Sequence, residues 1–313
     1  MKSDNGNFAF VSKEQLLDKV AFSNRSGEFQ NGDHLRADVP SPKFMIVGIS
    51  ESIGPFANKG RPGTENAFDA FLTFFLAMPY RDTSFDILGK IVFIGFFPSK
   101  THEAASLVEE LDRFAESVLI ESIGPQQLPI IIGGGHNNAL PIIRWAASHR
   151  KLHSIINIDA HMDCRTPDAR HSGNAFSFAL IQDLIQSYVV LGVDSYSLNT
   201  FMLEFLDRFP ITIVAFDEYL LGRSLNEDMH CFTGTQLPTG LEIDLDSIAN
   251  MPSSAQSPTG FSLNQVRSAV LSIKKTDIAY LHLCEGAPTN TFEERMVGKA
   301  LCYLVLDFMK VME

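Results

Sequence analysis

From residue 44 onward, short apolar, β-branched runs alternate with longer segments whose apolar positions recur every three or four residues. That alternation predicts strand–helix–strand units on a mainly parallel sheet, since a buried parallel strand is apolar on both faces and a crossover helix on only one. Strands are expected over 44–49, 91–96, 129–132, 154–158, 188–192, 212–216, 241–244 and 278–283. Helices are expected over 65–77, 102–121, 139–149, 176–186, 264–272 and 292–309. In the last of these, Val297, Ala300, Leu301, Leu304, Val305 and Phe308 form one apolar stripe for packing on the sheet. The first forty residues are polar and mixed, with a short helix expected over 13–20 and a Gly/Asn/Asp-rich stretch over 25–38. The pattern therefore divides the chain into an N-terminal extension, 1–42, packed on a single domain, 43–313.

Composition narrows the partners. A chain of 313 residues with 45% hydrophobic content can bury one large core. Its net charge of −12, with no Lys/Arg-rich run, argues against nucleic acid or an anionic membrane, because both need a positive face. No apolar run reaches the roughly 18 residues of a membrane span, and the start of the chain lacks the apolar core of a secretory signal. Cys164, Cys231, Cys284 and Cys302 are scattered without CxxC spacing, which fits a reducing, cytoplasmic setting. A small-molecule partner is the expectation that is left.

In open α/β sheets, ligands gather beyond the carboxyl ends of strands, and three polar clusters stand at such ends. One is Gly133-Gly134-Gly135-His136, which is neither a dinucleotide fingerprint nor a Walker loop. The second is Asp159-Ala160-His161-Met162-Asp163, where an extended backbone would send Asp159, His161 and Asp163 to one side. The third is Asp244-Leu245-Asp246. Together they offer two imidazoles and four carboxylates, more than one ion in an open site uses. Two divalent ions roughly 3.5–4 Å apart would use them well. Carboxylate and imidazole without thiolate favour Mn²⁺, two per chain, with zinc, iron or cobalt as substitutes.

These segments resemble the signature motifs of the arginase, agmatinase and formimidoylglutamase superfamily. Asn58-Lys59-Gly60-Arg61-Pro62-Gly63 resembles its early glycine-rich loop, and Leu283-Cys284-Glu285-Gly286-Ala287-Pro288 its late glutamate motif. The resemblance implies an arginase-like three-layer α/β/α sandwich with an eight-stranded, mainly parallel sheet, and a homo-oligomer. It makes His136, Asp159, His161, Asp163, Asp244 and Asp246 the ligands of a binuclear manganese site. It also implies hydrolysis of a C–N bond in a linear amidine by a metal-activated water. In that chemistry Asp163 would bind metal and carry a proton, and Glu285 would pair with the amidinium nitrogens.

Departures from the arginase pattern select the branch. Ser172-Gly173-Asn174-Ala175-Phe176 replaces a segment that ends in a proton-shuttling histidine, and Arg165 stands two residues beyond Asp163. Formimidoylglutamases have similar substitutions. N-formimidoyl-L-glutamate carries two carboxylates, which a guanidinium fork at Arg165 would hold. Asn174 is expected at the substrate as well, and His171, near the missing shuttle, as a proton carrier. His282 is expected to be a core histidine bonded to a carbonyl. Asn137 and the Ser247-Ile248-Ala249-Asn250 run depart from the formimidoylglutamase pattern. Hydrolysis of another guanidino or amidine compound, as by an agmatinase or arginase, stays open, as does a catalytically silent regulatory relative. A related deacylase would carry adjacent histidines, and no His-His pair exists.

Overall fold

A computed structural model describes residues 1–18, 20, 27–37, 39–274 and 277–313. Among the described residues, nine strands form one sheet: β1 Phe8–Ser12, β2 Phe44–Ser50, β3 Phe85–Phe93, β4 Leu128–Ile132, β5 Ser154–Ile158, β6 Ser187–Val193, β7 Ile211–Ala215, β8 Thr239–Asp244 and β9 Ile278–Cys284. Their spatial order is β1-β3-β2-β4-β9-β8-β5-β6-β7. All neighbours pair in parallel except β1, which runs antiparallel to β3. The eight expected strands are thus the parallel ones, and the ninth is an edge strand supplied by the N-terminal segment.

The parallel strands are apolar on both faces, and alternate residues feed different layers. Ile130 and Ile132 join a core with Phe71 and Phe75 of helix Ala67–Leu76 and Leu301 and Leu304 of helix Thr291–Met312. Ile131, between them, joins Ile143 and Trp145 of helix Ala139–Arg150 on the opposite face. Helices therefore cover both faces, giving the arginase-like three-layer arrangement. Full burial of each such side chain contributes about 1.5–3 kcal/mol.

Several boundaries differ from the expected ones. Strand β3 begins at Phe85, well before 91, because it alternates buried and half-buried positions in place of a continuous apolar run. Its polar residues are paired, Asp86 with Lys13 and Lys90 with Asp69. The helix expected over 13–20 is Lys13–Leu17, and residue 19 lies outside the described residues. So do residues 25, 26 and 38 of the polar stretch. The helix expected over 176–186 is Ala175–Ile181, and the chain turns after it with Asp183 at φ 55°. Among the described residues, no helix is long and apolar enough to cross a membrane. The sheet order brings β4, β9, β8 and β5 side by side, so the segments after Ile132, Cys284, Asp244 and Ile158 meet at one crest.

Candidate metal centre

Each of those four strand ends breaks sharply. After β4, Gly133 and Gly134 take φ 93° and 72°, a backbone open to glycine, and the chain then makes one tight turn at His136–Asn138 before its helix. Glu51, buried just past β2, holds that turn: its Oε1 accepts from Gly135 N at 2.8 Å and from Asn138 Nδ2 at 2.8 Å. The result is a fully buried His136 directed at the neighbouring strand ends.

Strand β5 stops at Ile158, so Asp159, His161 and Asp163 lie on a loop and not on one extended face. They still converge. Asp159 Oδ1 accepts from His161 N at 2.7 Å, while Asn157 Nδ2 donates to Asp159 Oδ2 at 2.8 Å and so fixes both oxygens. Asp163 turns inward through a left-handed backbone, φ 47°, an uncommon conformation for a residue other than glycine. After β8, Asp244 Oδ1 accepts from Asp246 N at 2.8 Å, which turns Asp246 toward His161.

The side chains separate into two sets that share one member. His136, Asp159, Asp163 and Asp244 each offer a ligand atom within 4.8 Å of the others, as do Asp159, His161 and Asp246. His136 Nδ1 stands 2.9, 3.2 and 3.3 Å from Asp163, Asp244 and Asp159, and His161 Nδ1 stands 3.1 Å from Asp246. Yet among the described residues neither ring nitrogen of His136 makes a hydrogen bond, and the buried Asp246 Oδ1 has no partner. Buried polar atoms are nearly always satisfied. Donor atoms that face one point without bonding each other fit cations between them, and Asp159 is placed to serve both sets.

Burial pushes the Asp244 carboxyl well above its ordinary range, with Asp246 and Asp159 adding to the effect. Such crowding of like charge is what a bound cation would relieve. Glu285, at φ 62° after β9, accepts from His136 N at 2.6 Å through Oε1, while its buried Oε2 has no partner among the described residues. Burial raises its pKa to about 8 against the opposing effects of Ser254 and the His136 amide.

A cleft of about 280 Å³ lies over this floor, lined by His161, Asp163, Asp244, Asp246 and Glu285 below and by Asn58, Lys59, Arg165 and Ser172 at its sides. Arg165 is exposed, and its guanidinium has no ion pair among the described residues. Arg61, in the same glycine-rich loop as Lys59, is instead tied to Glu293 at 2.9 Å.

Two expected site residues are not among those lining this cleft. Asn174 is fully buried, with Oδ1 accepting from Arg170 Nη1 and His171 N and Nδ2 donating to Ala169 O and Thr166 O, so its amide is already committed to its own loop. His171 accepts from Gly173 N through Nδ1. Burial, with Arg165 and Arg170 adding to it, lowers its pKa to about 4. At pH 7 a ring held this low is in its neutral form. Phe176, in the shuttle's place, packs its ring edge-on to His136 at 5.1 Å. His282 bonds a carboxylate, Glu242, and not a carbonyl. Sequence reasoning passed over Glu51, Arg170 and Glu242. The signal was there for two of them, as single acids in or directly after an apolar strand run.

Residues 42–310 match the sequence profile of the Arginase family. The chain is 27% identical over 229 residues to a formimidoylglutamase of Macrococcus caseolyticus, a match covering 72% of this chain and 64% of that protein. It is 25% identical over 230 residues to one of Streptococcus gordonii, covering 67% of this chain and 66% of that protein. The matched region therefore spans just under two thirds of either relative. Among solved structures, Trypanosoma cruzi formiminoglutamase with Mn²⁺ superposes with a TM-score of 0.73 at 20% identity, covering 90% of this chain and 99% of that one. The formimidoylglutamase of Bacillus subtilis subsp. subtilis str. 168 gives 0.76 at 17% identity, covering 94% and 95%. Both likenesses are of fold.

Proposed function

The chain belongs to the arginase family, and on that footing we propose that it is a binuclear-manganese hydrolase cleaving N-formimidoyl-L-glutamate to L-glutamate and formamide. The observation that carries the reading is the pair of ligand sets joined at Asp159, beneath a cleft with an acidic floor and a free guanidinium at its side. Carboxylate-rich, thiolate-free sets of this kind suit Mn²⁺. Two such ions, when bound, would bring the pKa of a water toward the neutral range and so supply the nucleophile.

The chain's own groups would do the rest. Glu285 would take the amidinium nitrogens through its unpartnered Oε2, setting the trigonal carbon above the ligand cluster. Asp163, which lines the cleft, would accept a hydrogen bond from the attacking water and pass a proton to the leaving nitrogen. Water adds at the formimidoyl carbon, the bond from that carbon to the glutamate nitrogen breaks, and the proton makes glutamate's amine. Arg165 would hold a substrate carboxylate in a fork, an interaction agmatine could not make.

One observation favours another guanidino or amidine substrate. A neighbouring cleft of about 230 Å³ shares His161 and Ala255 with the first and is lined by Asp194 and Asp217, which would suit a cationic tail. A turnover screen of N-formimidoyl-L-glutamate, agmatine and arginine with added Mn²⁺, measuring formamide, glutamate and urea, separates the two. Formamide and glutamate in equal amounts are expected. Urea without formamide would overturn the substrate.

A further inference from the structure

Directly behind the ligand cluster lies a carboxylate that the reaction above does not use. Glu242 sits in the middle of β8, two residues before Asp244, and the register of the parallel β8–β9 pair places it opposite His282. Glu242, His282, Tyr280 and His136 have essentially no solvent exposure. Glu242 Oε1 accepts from Tyr280 Oη at 2.7 Å, and Oε2 accepts from His282 Nδ1 at 2.5 Å. The same Oε2 faces His136 Nε2 at 3.6 Å, just beyond hydrogen-bond reach. Among the described residues, no Lys or Arg pairs with it.

A carboxylate with no Lys or Arg beside it among the described residues costs several kcal/mol to bury, and the sheet core offers it apolar neighbours that would pack without that cost. A simple tie between β8 and β9 would not need a charge. What the charge does need is a group whose proton it can hold in place, and His136 presents one. A neutral imidazole has one N–H and one lone pair, and whichever nitrogen holds the proton leaves the other to ligate. Nδ1 of His136 faces Asp159, Asp163 and Asp244, and Nε2 faces Glu242.

We propose that Glu242, itself anchored by Tyr280 and His282, is a positioning residue that keeps the proton of His136 on Nε2 and so presents the Nδ1 lone pair to the metal. The proposal rests on the two-metal reading of the cluster. Groups in this relation to a ligand histidine orient the ring and raise its basicity, and removing them typically costs 10–100-fold in metal affinity.

The test is Mn²⁺ titration by calorimetry of the metal-free full chain, with thermal unfolding of the same metal-free samples. In Glu242→Met, which keeps the length and removes the acceptor, one of two Mn²⁺ sites is expected to weaken by 10–100-fold. The other site should change little. Glu242→Gln, which keeps an acceptor and removes the charge, should fall between Met and wild type, and it decides the matter if the Met variant does not fold. A wild type that binds two Mn²⁺, with variants that bind them equally tightly, would overturn the positioning role alone, whatever their unfolding temperature. A wild type that binds no Mn²⁺ would instead overturn the two-metal reading, and this role with it.

Discussion

Two buried ionic clusters stand near one another in this molecule and are built on opposite principles. Around Arg170, every charge is answered. The guanidinium, 3% exposed, donates to Asp112 Oδ2 at 2.8 Å and Oδ1 at 3.2 Å, to Asn174 Oδ1 at 2.9 Å and to Asn137 O at 2.9 Å. It ties helix Thr101–Ser122, the His136–Asn138 turn and the 172–174 turn into one support. Around His136 and His161, carboxylates outnumber imidazoles, and several buried polar atoms have no partner among the described residues. Charge, burial and hydrogen bonds look alike in a list of residues. What separates scaffold from site is whether the local sum closes, and under the two-metal reading bound cations are what would close the acidic cluster.

That contrast predicts opposite responses to neutralisation. Asp244→Asn should cut amidine hydrolysis on the order of a thousandfold, since a bound ion supplies several kcal/mol to the transition state. The same change should raise the unfolding temperature of the metal-free protein, because burial and the neighbouring Asp246 and Asp159 disfavour the charged form there. If unfolding of the metal-free variant instead came earlier, the cluster would be a satisfied structural element like the other one. Arg170→Met should do the reverse. Leaving Asp112 buried without its partner costs about 3–5 kcal/mol, seen as a lower midpoint in urea, with Mn²⁺ affinity retained in whatever fraction stays folded. Equal loss of metal and stability would mean that the two clusters are one.

A smaller effect probes the cation left unanswered at the cleft's side. Arg165→Met should raise KM for a dicarboxylate amidine by about 10–100-fold, the worth of a charge-assisted hydrogen bond at 1.5–3 kcal/mol, with kcat changed much less. A substrate without carboxylates should feel nothing. Loss of kcat at unchanged KM would take Arg165 out of substrate binding.

How far the sequence could carry this picture follows from the range of each signal. Apolar runs mark parallel strands because burial on both faces acts locally, so β4, β5 and β9 fall close to where the pattern puts them. Strand β1 was invisible. Phe8–Ser12 is strand only because β3 offers an edge, and that pairing spans some eighty residues. The six candidate ligands could be picked out from their place after apolar runs, but alternation along an extended strand does not account for Asp163. Its direction comes from a left-handed turn, which no alternation rule contains. Glu242 and His282 meet through β8–β9 register, and Arg170 meets Asp112 across 58 residues. Contacts of that range leave no mark in a single chain's periodicity. Asn174 illustrates the same limit from the other side, since motif position suggested substrate and only the loop's hydrogen bonds showed the amide to be taken.

His171 gives the finest test, because its backbone belongs to the Arg170 support while its ring pairs with no charged group of either cluster among the described residues. Its Nδ1 accepts from Gly173 N, and burial, with Arg165 and Arg170 nearby, holds its pKa at about 4 against an ordinary value of 6.5. The folded state therefore prefers the neutral ring. A group depressed in this way contributes stability that is fully present above the unfolded value and is lost as pH falls toward the folded one. The window is pH 6.5 to 4. His171→Asn keeps an acceptor for Gly173 N and removes the titration, so urea unfolding should show a shallower loss of stability across that window than wild type. Activity at pH 7.5 should stay within about twofold, because the ring's Nδ1 is committed to Gly173 N and His171 is not among the residues lining the cleft. An unchanged slope from pH 6.5 to 4, together with a large loss of kcat, would return His171 to the reaction as its proton carrier.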